Sequence, residues 1–180
     1  MSFGFGEEHK SLYDSIKHAA YNGVVMFAAA SNDGKNRPGG VAWPAKDMNV
    51  ICVHSGDGHG TPSRFTPSPQ DSMKIMVLGE CVNSAWPQKL KSPGDHKLMS
   101  GTSCAAPIAA GIAALILDCA RGFLTQQEWE RLRRADSMRR MFERMKDPNP
   151  YTGYWWIKHW EWFDSKRAEG WIHGEIRGIL

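Results

Sequence analysis

Two residues in this chain combine a reactive or polarising side chain with a backbone setting that favours chemistry. Ser103 lies in Gly101-Thr102-Ser103-Cys104-Ala105-Ala106-Pro107, directly ahead of a run of small and apolar residues with no charge between Lys97 and Asp118. A hydroxyl at the mouth of such a helix meets the positive end of the macrodipole and backbone N–H groups that have no intrahelical partner. That setting stabilises an oxyanion. Asn32 ends an apolar stretch, residues 24–30, and opens an Asn-Asp-Gly turn. An Asn at the carboxyl end of a buried strand can offer its N–H₂ in the crevice where open α/β sheets bind ligands. The plainer alternative for Ser103 is an ordinary helix N-cap.

The elements needed to position these groups can be read outward from them. A helix that is apolar all round belongs in an interior, and Pro107 is tolerated because it falls near the first turn. Counted from Ala105, this helix is about 13 residues long, short of a bilayer's thickness. Residues 24–30 read as a strand buried on both faces, with further short strands at 48–53 and 73–78. Residues 7–22 read as an amphipathic helix on Leu12, Ile16 and Ala19/Ala20, stopped by Asn22-Gly23. This alternation predicts an α/β fold with a parallel sheet. Residues 36–44 are a Gly- and Pro-rich loop.

Thr125-Gln126-Gln127-Glu128 is a capping box, and it opens a helix expected to run to about residue 146. Trp129, Leu132, Met138, Phe142 and Met145 form its apolar stripe. Arg131, Arg133, Arg134, Arg140 and Glu143 make a solvated face, in which interleaved acids speak against a nucleic-acid stripe. Residues 147–150 should end it. Residues 151–180 hold five of the eight tryptophans (Trp155, Trp156, Trp160, Trp162 and Trp171). That is too aromatic for a disordered tail, and it reads either as an extension packed on the domain or as a partner surface.

The two chemical stretches together resemble the subtilisin-like serine proteases, whose nucleophile lies in Gly-Thr-Ser-x-Ala-x-Pro and whose oxyanion Asn follows an Ala-rich strand end. The resemblance covers residues 1–122, as the C-terminal half of a catalytic domain, and leaves 123–180 as a helical, Trp-rich extension. It implies a partial three-layer subtilisin-like fold lacking its N-terminal strands. It also implies a serine endopeptidase in which Ser103 attacks an extended peptide and Asn32 helps hold the oxyanion. Ser2-Phe3-Gly4 and Ala29-Ala30-Ser31 would wall the substrate's side chain, with Ser31 standing where the family commonly has Gly. The trailing region is similar to that of fungal intracellular members.

The family orders its triad Asp, His, Ser, and neither Asp-x-Gly nor His-Gly-Thr-His occurs in the early part of this chain. His59-Gly60-Thr61 imitates the histidine motif but follows the Asn strand and does not open a helix, so it reads as a solvated loop. Cys52, His54 and His59 lack zinc spacing. No metal or organic cofactor is expected. The expected partners are a peptide or protein substrate and the missing N-terminal half of the same domain, with no nucleic acid and no membrane. The chain alone is then expected to be inactive, either as part of a whole protease or as a non-catalytic binding remnant using its Trp-rich end. Net charge is +3 with both signs interspersed, and the four cysteines lie far apart. Free thiols and the lack of a signal-peptide pattern point to the cytoplasm.

Overall fold

The computed structural model describes residues 1–34, 40–87, 95–147, 153–164 and 169–180. Residues 36–39 of the loop expected at 36–44 and residues 148–150 of the stop expected at 147–150 lie outside them. Helix α1 (Lys10–Tyr21) is followed by strands β1 (Met26–Ala29), β2 (Val50–Gly56) and β3 (Ile75–Leu78). A hairpin of β4 (Val82–Ala85) and β5 (His96–Met99) leads to α2 (Thr102–Ala120). Then come α3 (Gln126–Leu132), α4 (Ala135–Arg144), the short β6 (Trp155–Trp156), α5 (His159–Trp162) and α6 (Glu169–Arg177).

The main sheet has the order β1-β2-β3-β6, and every pairing in it is parallel. Alternation along the strands builds two apolar layers. Phe27, Ala29, Ile51, Val53, Ile75 and Val77 face α2, α4 and α6 in one continuous core. Ala28, Ala30, Val50 and Cys52 face Ile16 of α1 and Trp43 on the other side. The result is a three-layer α/β arrangement. At the outer edge of β1, the Ala29 amide donates to the Met1 carbonyl at 3.0 Å, so the first residue takes up a strand position there.

Several elements differ from the sequence reading. Helix α1 begins later than residue 7, and it stops in a Schellman turn. Gly23, at φ 69°, and Val24 donate to Ala20 and Ala19, a geometry that favours glycine. The single helix expected over 125–146 is two helices broken at Arg133-Arg134. The capping box does form, with Thr125 Oγ1 accepting from the Glu128 amide and Glu128 accepting from the Thr125 amide.

Helix α2 starts at Thr102 and spans 19 residues, so by length and composition it could cross a membrane. Its inner face nevertheless lies on the sheet. It is not buried all round: Pro107, Ala110, Gly111, Ala114 and Leu115 face outward. Of the five late tryptophans, Trp156 and Trp162 are buried, and Trp155 and Trp171 pack against the core. Trp160 is 48% exposed. None of the four cysteines is in a disulfide; Cys52 is buried and Cys81 is exposed.

Candidate active site

Parallel strands bring their carboxyl ends to one edge of the sheet, and both chemical stretches arrive there. The β1 strand leads through Ala30 and Ser31 to Asn32. The end of β3 passes into Gly79, whose carbonyl accepts from the Gly101 amide at 2.8 Å and so fixes the turn before α2. Gly79 has no room for a side chain, because a Cβ there would lie 2.3 Å from Ser55 Oγ and 3.0 Å from the Gly101 carbonyl.

Asn32 and Ser103 line one cavity of 270 Å³, together with Ser2, Phe3, Gly4, Ala29 and Ser31. Ala30 does not line it. It is fully buried on the opposite face of the sheet, because adjacent strand residues point to opposite sides. Sequence reasoning missed Asp33, Ala42 and Thr102, which also line the cavity.

Thr102 is the most consequential of these. Its backbone amide and its hydroxyl both donate to Asn32 Oδ1, at 2.9 and 3.0 Å. With the carboxamide oxygen held, the N–H₂ is the end of Asn32 left to serve the cavity. The signal for Thr102 is present in the Gly-Thr-Ser motif, where the threonine immediately precedes the serine.

Ser103 and Ser2 are tied reciprocally: Ser2 Oγ donates to the Ser103 carbonyl at 2.9 Å, and Ser103 Oγ donates to the Ser2 carbonyl at 3.3 Å. The backbone of the first turn is only partly used. Thr102 N–H goes to Asn32, and the amides of Cys104 and Ala105 go to Gly101. Ser103 N–H falls among the first-turn amides that the helix itself leaves unpaired. Gly4 needs its bare Cα, since a Cβ would sit 2.7 Å from Ala42 Cβ. Ser31 occupies φ 152°, unusual for a residue with a side chain. Its hydroxyl donates to Asp33 Oδ2 at 2.9 Å and accepts from the Asp33 amide at 3.0 Å.

No histidine of the described residues lines this cavity. His59 sits in a turn organised by Asp57, whose carboxylate accepts from the His59 and Thr61 amides. His54 is buried on the other side of the sheet, and burial lowers its pKa from 6.5 to about 4. Burial likewise pushes the neighbouring Cys52 thiol far up, so it stays protonated. No cluster of metal-ligating side chains occurs among the described residues. What the arrangement can do chemically is present a hydroxyl, a fixed carboxamide donor and a free helix-terminal amide to one bound carbonyl group.

The sequence pattern of Peptidase_S8, the subtilase family, matches residues 1–146. Subtilisin DY of Bacillus licheniformis is 32% identical over 118 residues, which are 65% of this chain and 41% of that protein. The subtilisin-like protease het-Q2 of Podospora anserina is 32% identical over 122 residues, 66% of this chain and 31% of that one. The chain therefore spans less than half the length of either relative. Among solved structures, the protease domain of PatA, in a serine-to-alanine mutant, superposes with a TM-score of 0.68 at 23% identity. That match covers 99% of this chain and 58% of PatA's protease-domain chain.

Proposed function

Because this chain belongs to the subtilase family of serine proteases, we propose that it carries the nucleophile half of a serine endopeptidase site. Ser103 Oγ attacks the carbonyl carbon of an extended peptide, and its proton passes to a histidine base and then to the leaving amine. Water later releases the acyl group from Ser103. The oxyanion that forms is held by Asn32 Nδ2 and the Ser103 N–H. For subtilisin itself, the equivalent carboxamide is worth about 10²–10³ in turnover. Ser2-Phe3-Gly4 and Ala29 with Ser31 form the walls beside the substrate. The observation that carries this reading is the cavity shared by Asn32 and Ser103, with Thr102 bridging them.

The histidine and its aspartate belong, on this reading, to polypeptide outside residues 1–180, the other half of the same domain. A hydroxyl without a base is a poor nucleophile. Beside Ser103, a groove of 460 Å³ runs between the β4–β5 hairpin and α2, lined by Val82, Trp86, Met99, Pro107 and Ile108. Apolar surface next to the nucleophile supports a further packed element at that place. Residues 1–122 are then the C-terminal half of the catalytic domain, with 123–180 an extension that closes its core. The free thiols fit a cytoplasmic setting.

Reaction with a fluorophosphonate probe tests this, applied to residues 1–180 and to the same chain extended by the coding sequence upstream. Labelling of Ser103 only in the extended form, lost in Ser103→Ala, is the expected result. Absence of labelling in both forms would establish a non-catalytic binding remnant instead.

A further inference from the structure

The amino ends of β1 and β2 lie together at the edge of the sheet opposite Ser103. There the last turns of α1, the start of β2 and the α3–α4 junction surround a second cavity, of 590 Å³. Four cationic side chains line it: Lys17, Arg133, Arg134 and Arg139. No carboxylate among the described residues forms an ion pair with any of them. Asp136, the one acid in the lining, is paired instead with Arg140 at 3.5 Å. Arg139 uses Nη2 on the Met48 and Val50 carbonyls, at 2.6 and 2.7 Å, which fixes its position, and the carboxylates of Asp136 and Asp47 act on it without forming an ion pair. The first turn of α4 opens here without a side-chain cap.

The rim of the same cavity is apolar. Tyr21 is 91% exposed, Met48 80% and Val24 48%. Isolated apolar side chains on a surface are ordinary, but three around one cationic hollow form a mixed patch of the kind enriched in Arg, Tyr and Met at protein interfaces.

We propose that this hollow binds an acidic linear segment of a protein partner. Carboxylates of the segment face Lys17, Arg133 and Arg134, and one apolar side chain rests on Tyr21, Val24 and Met48. Charge complementarity selects the acidic character, and the apolar rim selects a peptide over a bare anion. The rim surrounds a concavity, which suits a side chain better than a lipid surface. The cations form a cluster rather than a track, unlike a groove that follows a phosphate backbone. The proposal does not depend on Ser103, because the two cavities share no residue.

Fluorescence anisotropy tests it, with the whole 180-residue chain and a labelled peptide of Asp and Glu around a central Leu. Binding is expected, weakening as salt is added. Affinity should fall about tenfold in Arg134→Glu and in Lys17→Glu, both exposed positions, with an unchanged unfolding midpoint. Arg134→Gln, the milder variant, should lose affinity without reversing charge. Replacing the peptide's Leu by Ser should also weaken binding. The proposal is overturned if peptides with Lys for Asp and Glu bind equally, or if the charge variants bind like the parent. It is equally overturned if pyrophosphate displaces the peptide while the Leu-to-Ser peptide binds undiminished, which would mark a simple anion site. Binding of phosphatidylserine vesicles or an oligonucleotide in place of the peptide would overturn it too.

Discussion

Asn32 Oδ1 accepts two hydrogen bonds from Thr102, one from its amide and one from its hydroxyl, across 70 residues of chain. The contact joins the two halves of the candidate site and sets which end of the Asn32 amide meets a substrate. In the form of the protein whose Ser103 reacts with a fluorophosphonate, Asn32→Leu should slow labelling by about 10². Thr102→Val should slow it by about tenfold, since the amide anchor on Asn32 survives, and should cost about 1 kcal/mol in a denaturant titration. Equal labelling rates in Thr102→Val and the parent would show that the hydroxyl does not position Asn32.

Ser31 holds a φ of 152° while its hydroxyl both donates to and accepts from Asp33. The two effects separate by substitution. Ser31→Ala keeps the unfavourable backbone and loses both hydrogen bonds. Ser31→Gly loses the bonds but relieves the backbone. The glycine variant should be the more stable of the two by about 1 kcal/mol, even after its greater freedom when unfolded is counted. A glycine variant less stable than the alanine one would show that no strain resides at this position.

His54 predicts an acid-sensitive stability. Its Nε2 lies 3.0 Å from the Met73 carbonyl, Nδ1 lies 3.2 Å from Thr66 Oγ1, and the Tyr154 ring packs edge-on. Burial holds its pKa at about 4, against 6.5 when free, so the unfolded chain takes up the proton first. Its contribution is complete above pH 6.5 and falls as pH drops toward 4, by about 3 kcal/mol in all. Denaturant midpoints measured between pH 7 and 4 should show this slope, and His54→Gln should flatten it. An unchanged slope in the variant would assign the acid sensitivity to other groups.

Gly79→Ala should damage the site from a distance. The added methyl overlaps Ser55 Oγ, which is held by Ser63 Oγ at 2.8 Å, and presses on the Gly101 carbonyl. A cost of about 1–3 kcal/mol is expected from the overpacking, with slower probe labelling of Ser103 as the Gly101 turn shifts. Calorimetry and labelling rates check the two effects separately.

Much of this molecule was legible in its residues because the central pieces carry strong local signals. The apolar runs at 24–30, 48–53 and 73–78 became three neighbouring parallel strands, and Thr125 capped its helix as its spacing to Glu128 implied. Other features carried no such signal. β6 is two tryptophans placed by pairing with Ile75 and Met76, a long-range contact that no periodicity announces. The β4–β5 hairpin is exposed along most of its length and mixes polar and apolar residues in equal number, with no clean alternation to announce a strand. Arg133 and Arg134 are good helix formers, so the break there is set by how Leu132 and Met138 reach one core. In the site, Ser103 and Asn32 were readable as types, whereas the part played by Thr102 needed coordinates. The cationic hollow was hidden because Lys17 and Arg134 come together only through the fold.

Ile176 and Ile179 are buried in the same core as Phe27 and Ile51. The core that these strands share with α2 is thus completed only by residues made long after them, and until α6 docks its unfilled side is open to capture by chaperones. Cleavage that removed α6 would reopen that core to water.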